Sequence, residues 1–159
     1  MSILPRTSGG SKGFFLLKAA LDDLWSEGVK FSLNIYFTPT EVSPYMKIHG
    51  RYSYDELEKV MDETDLLVCP SVWYETFGYT VLEALSFGVP VLVSETVGAK
   101  DIIPDDCGWV FKDTDQLKEF VMDLSAKQLQ KCNKKICETS FSFDLDVMST
   151  RLKEECYRF

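Results

Sequence analysis

Two glutamates, Glu75 and Glu83, lie close together in the stretch PSVWYETFGYTVLEALSFGVPVLVS, residues 70–94. Seven residues separate them, and Glu83 follows Val81 and Leu82 inside a nearly apolar segment. A carboxylate is costly to bury without a partner. The position of Glu83 therefore indicates either a solvated helix face or a site where a ligand supplies the partner.

A helix over residues 78–87 would direct three polar side chains into one cleft. At 100° per residue, Thr80 and Glu83 share a face, while the apolar side chains point the other way. Thr80 falls in the first turn, where backbone N–H groups and the helix dipole favour an anion, and Glu75 precedes the helix. This arrangement suits a ligand that carries both phosphate and hydroxyl groups, such as a nucleotide sugar. The spacing alone fits a solvated helix face equally well.

The elements that must position these residues alternate between helix and strand. Apolar residues at helical spacing predict a first helix that ends at Gly28, and period-two alternation predicts a strand over 30–37. Ser53 and Glu56 form a capping box that opens another helix. Further strands are predicted at 45–50, 65–69, 90–94 and 108–111, and further helices at 78–87, 98–103 and from 115 onward.

This alternation, with continuous apolar strands, predicts an α/β fold. We expect a Rossmann-like, three-layer domain whose parallel sheet is covered by helices on both faces. Ligands bind such sheets beyond the carboxyl ends of the strands, where loops lead into helices. The loops 6–13 and 70–78 are both of this kind.

The composition excludes several classes of function. The 159 residues have the length of one domain, with 45% apolar and 26% charged residues. A net charge of −8, with dispersed acidic residues, argues against nucleic acid and against an anionic membrane surface. We find no apolar run long enough for a transmembrane helix or a signal peptide.

The cysteines and the single histidine predict neither disulfides nor a metal site. Five cysteines without a CxxC motif indicate reduced thiols, so we expect a cytoplasmic protein. Cys69 lies in an apolar run and is expected in the core. His49 has no second ligand nearby, and no metal site is predicted. Residues 127–137 are expected to form an exposed helix without a functional patch.

The stretch 70–94 resembles the signature of the retaining nucleotide-sugar glycosyltransferases with the GT-B fold. Its pattern is Pro-Ser after a strand, a Glu-x-Phe-Gly turn, a second Glu after seven residues, and Gly-x-Pro-Val. The similarity extends over about residues 9–111, through GGSKGFFLLKAAL, HGRYSYDELEKVMDETDLLVCPS and ETVGAKDIIPDDCGWVF. The chain is thus identified as a member of glycosyltransferase family four, or group one. Residues 1–159 are expected to be its C-terminal, donor-binding domain, without the N-terminal acceptor domain.

The resemblance implies that three residues serve catalysis. Glu75 contacts the hydroxyls of the donor sugar, and Lys12 and Arg6 neutralise the diphosphate leaving group. Lys12, in the sequence SKG, matches the family well, whereas Arg6 lies one residue further away than the usual spacing.

The resemblance also implies how the rest of the donor is bound. The backbone amides of Phe77 and Gly78 help to hold the sugar, and Thr80 and the amide of Val81 meet the diphosphate. Glu83 accepts hydrogen bonds from the ribose hydroxyls.

By the same resemblance, GRYSYDEL matches the base-side loop of the family, which makes Arg51 and Tyr52 the candidates for contact with the nucleobase. No metal or other cofactor is expected, and UDP-, GDP- and ADP-sugars remain open as donors.

The resemblance implies a retaining hexosyltransferase that transfers a sugar to an acceptor glycan or lipid. The present chain by itself is expected to bind the donor without turnover. The alternative is a non-catalytic nucleotide-sugar-binding or interaction module that kept the glycosyltransferase fold. An oxidoreductase is disfavoured, because GGSKG is not the GxGxxG fingerprint and the strand 30–37 has no acidic residue at its end.

Overall fold

The computed structural model describes residues 2–3 and 12–139. Within these ranges the strands form one sheet in the order β3-β2-β1-β4-β5-β6, and every pairing is parallel. The strands are β1 Ser2–Ile3, β2 Leu33–Ile35, β3 Met46–Ile48, β4 Leu67–Cys69, β5 Val91–Ser94 and β6 Gly108–Phe111. The predicted α/β, Rossmann-like fold is confirmed.

Helices cover both faces of this sheet. They are α1 Phe14–Ser26, α2 Leu57–Asp62, α3 Tyr79–Ser86, α4 Thr114–Asp123 and α5 Ala126–Glu138, with 3₁₀ turns at Tyr54–Glu56 and Gly98–Ile102. Successive strand residues face opposite layers: Val91 and Val93 pack in one apolar cluster and Leu92 in the other. Because β5 is buried on both faces, its sequence is a continuous apolar run and does not alternate.

The short strand β1 lies at the centre of the sheet. Ser2 pairs with Asn34 of β2 on one side and with Leu67 of β4 on the other. The chain order of the strands reverses between β1 and β4. In open α/β sheets, the crevice outside such a reversal point is where ligands bind.

The predicted local signals are present at the helix ends. The Ser53 amide donates to the Glu56 carboxylate at 2.8 Å in a capping box, and this hydrogen bond lowers the pKa of Glu56. The box opens a 3₁₀ turn that leads into α2. Helix α1 ends before Gly28, whose φ of 92° suits glycine.

Helix α5 is not exposed on all sides as the sequence suggested. Cys132 and Ile136 are buried in the core, while Lys134 and Cys137 on the same helix face solvent. Most residues of this segment are polar or charged, so the sequence did not indicate that Cys132 and Ile136 form a narrow apolar stripe on the helix. None of the described helices has the length and apolar character needed to cross a membrane.

Candidate functional site

A cavity of about 410 Å³ opens beyond the carboxyl end of β4. Both predicted loops contribute to it, together with the start of α3. The lining residues are Lys12, Ser71, Trp73, Tyr74, Glu75, Thr76, Phe77, Gly78 and Tyr79. The structure therefore places the cavity at the edge of the sheet that the fold predicts for a ligand.

The loop after β4 is anchored at its first residues. The buried Ser71 carbonyl accepts hydrogen bonds from Ser94 Oγ and Thr96 Oγ1, each at 2.6 Å. Two hydroxyls from the end of β5 thus hold the Pro-Ser segment. The loop that forms the cavity wall therefore begins at a fixed position.

Further along, the loop lies beside residues 96–99. The Glu75 amide donates to the Thr96 carbonyl at 3.0 Å, and the Gly98 amide donates to the Glu75 carbonyl at 2.9 Å. A Cβ on Gly98 would lie 2.5 Å from the Thr76 carbonyl oxygen, so only glycine allows this approach. The backbone of Glu75 is therefore fixed on both sides.

The side chains of Lys12 and Glu75 meet in the cavity. Lys12 Nζ donates to Glu75 Oε1 at 2.6 Å across 63 positions of sequence. Gly13, at the start of α1, packs so closely on Pro70 that a Cβ would lie 1.6 Å from the Pro70 carbonyl oxygen. The close approach of Gly13 to Pro70 brings the two loops together, and the Lys12 ammonium therefore lies next to the Glu75 carboxylate.

Helix α3 begins at the cavity wall. Gly78 is its N-cap at φ 100°, and a Cβ there would meet Val97 Cγ1 at 3.0 Å. The Val81 amide donates to the Gly78 carbonyl at 2.9 Å. Val81 is buried, whereas Thr80 and Glu83 are half-buried, which agrees with the predicted division of the helix into two faces.

A second group of side chains lies where β2 and β3 end. The His49 ring stacks on Tyr36, with centroids 4.8 Å apart and planes at 15°. His49 Nε2 lies 3.0 Å from Asn34 Oδ1, and Tyr52 meets Tyr36 edge-on at 5.4 Å. Burial raises the pKa of Tyr36, and this cluster fixes the half-buried Tyr52 next to the exposed Arg51.

Cys69 lies at the end of β4, behind the loop. Burial is the main cause that raises the pKa of its thiol to about 12, and the nearby charge of Glu75 adds to the effect. The thiol is therefore protonated at neutral pH, and Cys69 is half-buried against the core cluster, not fully inside it as predicted. Among residues 12–139, no three His, Cys, Asp or Glu side chains are grouped so that they could hold a metal ion.

Residues 39–138 match the family model of the glycosyl transferases group 1. This chain belongs to that family. It is 30% identical over 167 aligned residues to the sulfoquinovosyl transferase SQD2 of Arabidopsis thaliana, an alignment that covers 94% of the chain and 31% of the relative.

Solved glycosyltransferase structures share the fold of this domain. Anabaena HepE, in complex with UDP and glucose, superposes with a TM-score of 0.74 at 16% identity over 99% of this chain and 48% of HepE. A glycosyltransferase from Rickettsia africae gives a TM-score of 0.76 at 18% identity over 96% and 46%. The fold is the C-terminal half of the GT-B architecture, and the chain spans about half of these structures and a third of the plant relative.

In this glycosyltransferase domain, the structure brings together four of the predicted site residues. Lys12, Glu75, Phe77 and Gly78 all line the cavity. Thr80, Val81 and Glu83 follow on α3, and Arg51 and Tyr52 lie in the segment after β3, outside the cavity lining. Arg6 lies outside the described residues.

Sequence reasoning missed the residues that support the loop of this glycosyltransferase domain. Ser94, Thr96 and Gly98 position Glu75 through the contacts described above. Their signal in the sequence was a hydroxyl or small residue at every second position, 94, 96 and 98, from the end of a buried strand. Tyr36 and His49 were also missed, because a ring stack between neighbouring strand ends has no signal in sequence spacing.

Proposed function

We propose that this domain binds a nucleotide diphosphate-sugar in the cavity and supplies the donor half of a retaining hexosyltransferase. The acceptor is a glycan or a lipid. The observation that carries the proposal is the contact of Lys12 with Glu75 at the start of α3. It places a cation for phosphate beside a carboxylate for hydroxyls, in a domain of the glycosyltransferase family.

The diphosphate is bound by Lys12, Arg6 and the first turn of α3. Lys12 is 38% exposed, so its ammonium is accessible to an incoming anion. The hydroxyl of Thr80 and the amide of Val81 add hydrogen bonds. Unpaired amides and the helix dipole favour negative charge at this helix end. In the present structure, the Val81 amide donates to the Gly78 carbonyl, so its hydrogen bond to the phosphate would be bifurcated.

The sugar lies beyond the phosphates, against Glu75. The Glu75 carboxylate is only 16% exposed and accepts hydrogen bonds from sugar hydroxyls, assisted by the amides of Phe77 and Gly78. Binding of the donor therefore breaks the ion pair between Lys12 and Glu75, because the diphosphate binds Lys12 and the sugar hydroxyls bind Glu75. Anabaena HepE was solved with UDP and glucose, which makes UDP-glucose the first donor to test.

The nucleoside extends in the other direction along the sheet edge. Glu83, one turn into α3, accepts hydrogen bonds from the ribose hydroxyls. The base lies near Arg51 and Tyr52, and Tyr52 is fixed by its contact with Tyr36. This assignment gives the two glutamates separate tasks, with Glu75 at the sugar and Glu83 at the nucleoside.

Transfer follows from positioning and charge stabilisation. An acceptor hydroxyl forms a bond to the anomeric carbon as the bond from that carbon to the diphosphate breaks. The proton of the hydroxyl passes to the leaving diphosphate, on the same face of the sugar. Lys12 and Arg6 stabilise the developing negative charge, and no metal is required.

A thermal-shift panel of UDP, UDP-glucose, GDP-mannose and ADP-glucose tests the binding claim. At 100 times its dissociation constant, a matched ligand stabilises the protein by about 2.7 kcal/mol, a melting shift of roughly 5–10 °C. Lys12→Met should reduce the shift, and Lys59→Met, which removes an exposed lysine of α2, should not. The proposal is wrong if no nucleotide or nucleotide sugar shifts the melt at millimolar concentration.

A further inference from the structure

An aromatic rim surrounds the opening of the cavity. It consists of Trp73, Tyr74 and Tyr79, which are 69%, 90% and 73% exposed. Three large aromatic side chains that share one opening form an exposed apolar patch, and such patches mark binding surfaces. The mechanism proposed above uses none of them.

Exposure increases from the floor of the cavity to this rim. The Glu75 side chain is 16% exposed and that of Lys12 is 38% exposed, whereas each rim residue exceeds both. A donor held by Lys12 and Glu75 occupies the floor. The rim therefore faces whatever approaches the donor from solvent.

The rim is held by its own contacts. Ser71 Oγ donates to the Trp73 carbonyl at 3.1 Å, and the Ser71 carbonyl is in turn fixed by Ser94 and Thr96. Tyr79 packs edge-on against Phe77, with ring centroids 5.1 Å apart. The backbone at Trp73 and the ring of Tyr79 are thus already ordered, so they lose less freedom when a ligand packs on them.

The chemistry of the rim matches one face of a pyranose. Such a ring has an apolar face of C–H groups, which packs on the electron-rich face of an aromatic ring, and an edge of hydroxyls. An anionic membrane is disfavoured by the net charge of −8.

We propose that Trp73, Tyr74 and Tyr79 form an acceptor subsite on which a pyranose ring stacks, so that the acceptor is a glycan. This inference rests on the proposed function, because it assumes that the donor occupies the floor of the cavity. It assigns to the domain a part of acceptor recognition that the donor-binding residues do not provide.

Tryptophan fluorescence of the chain saturated with UDP tests the subsite. The probes are methyl α- and β-D-glucopyranoside, maltose, cellobiose and lactose, each titrated to high millimolar concentration. At least one should change the emission saturably, and Trp73→Ala should abolish the change, because Trp25 and Trp109 are half-buried elsewhere. Tyr74→Ala and Tyr79→Ala should weaken binding about tenfold.

Three further measurements sharpen the result. Trp73→Phe, which keeps an aromatic face, should retain part of the affinity, measured by calorimetry. Phe87→Ala removes an exposed ring at the opposite end of α3 and should change nothing. Trp73→Ala should leave the affinity ratio of UDP-glucose to UDP unchanged. A tenfold fall of that ratio would overturn the acceptor assignment, since the rim would then hold the donor's own sugar.

Other outcomes also overturn the inference. These are the absence of any saccharide response, a response that survives Trp73→Ala, or binding to phosphatidylglycerol vesicles that depends on Trp73. Failure of the underlying function is distinguishable, because UDP would then fail to shift the melt of the unaltered chain. If UDP shifts the melt and the saccharides have no effect, the acceptor subsite alone is wrong.

Discussion

Lys12 and Glu75 neutralise each other in the absence of donor. The 2.6 Å contact pairs the ammonium with the carboxylate and keeps the carboxylate in one orientation. A diphosphate alone must compete with Glu75 for Lys12. A nucleotide sugar compensates for this loss, because its hydroxyls give Glu75 new partners.

Glu75→Gln should therefore affect nucleotide and nucleotide sugar differently. Without the opposing charge, Lys12 is free for the diphosphate, so UDP should bind at least as tightly as before. The extra affinity that the sugar contributes should fall by about 1.5–3 kcal/mol, the usual range for hydrogen bonds to a charged group. Calorimetric titration with UDP and with the matched UDP-sugar measures the affinity for the nucleotide and the additional affinity that the sugar contributes.

The matched control for this change is Glu58→Gln, on the exposed side of α2. It removes the same charge from the chain without touching the cavity, and both affinities should stay unchanged. Equal weakening of UDP and UDP-sugar in Glu75→Gln would contradict the assignment of Glu75 to the sugar.

Glu83→Ala should weaken nucleotide binding itself. The carboxylate is half-buried on α3, and its loss leaves the ribose hydroxyls with one acceptor fewer. We expect about a tenfold or larger loss of UDP affinity, visible as a smaller melting shift at fixed UDP. Ser86→Ala, an exposed position three residues later on the same helix, is the control and should keep the full shift. A full shift in Glu83→Ala would rule out the ribose contact.

At the scale of elements, the sequence predicted the alternation of strands and helices because buried parallel strands leave continuous apolar runs. The run VLVS of β5 and the capping box of Ser53 and Glu56 were readable for this reason. Strand β1 was hard to recognise, since its described part consists of Ser2 and Ile3 alone. The order of the strands in the sheet and the contact of Lys12 with Glu75 are long-range features. They join residues that are far apart in the sequence, so no local sequence pattern predicts them.

The approach of α1 to the loop after β4 depends on Gly13. Its φ is 76°, and a Cβ would overlap the Pro70 carbonyl oxygen at 1.6 Å. Gly13→Ala should lower the free energy of unfolding by about 3 kcal/mol or more, from backbone strain and displacement of the loop together. Urea unfolding measures the change.

Gly28 provides the matched comparison for Gly13. Its φ is 92°, but a Cβ there would meet no atom within 4 Å. Gly28→Ala should therefore cost only the backbone strain, about 1–2 kcal/mol, and leave UDP binding unchanged. Similar losses of unfolding free energy in the two variants would show that the contact of Gly13 with Pro70 does not contribute to stability.

At the scale of the whole molecule, the cavity is open on the side that carries the aromatic rim. Lys12 and Glu75 line the floor, and Tyr74 at the rim is 90% exposed. Retaining transfer needs donor and acceptor held together while water is excluded. A second domain that closes over the cavity would provide this enclosure, as the GT-B architecture implies.

We therefore predict that these 159 residues alone bind the donor but transfer no sugar. In the proposed mechanism, a second GT-B domain would supply half of the positioning surface, and positioning accounts for much of the catalysis. The assay is donor turnover by the isolated chain with a broad acceptor panel, run with divalent metal and with EDTA. The full-length protein is the control, and it should be active in both conditions, because Lys12 and Arg6 supply the positive charge at the diphosphate. Authentic glycoside from the isolated chain, or activity of the full-length protein that EDTA abolishes, would contradict this account of how the reaction is divided between the domains.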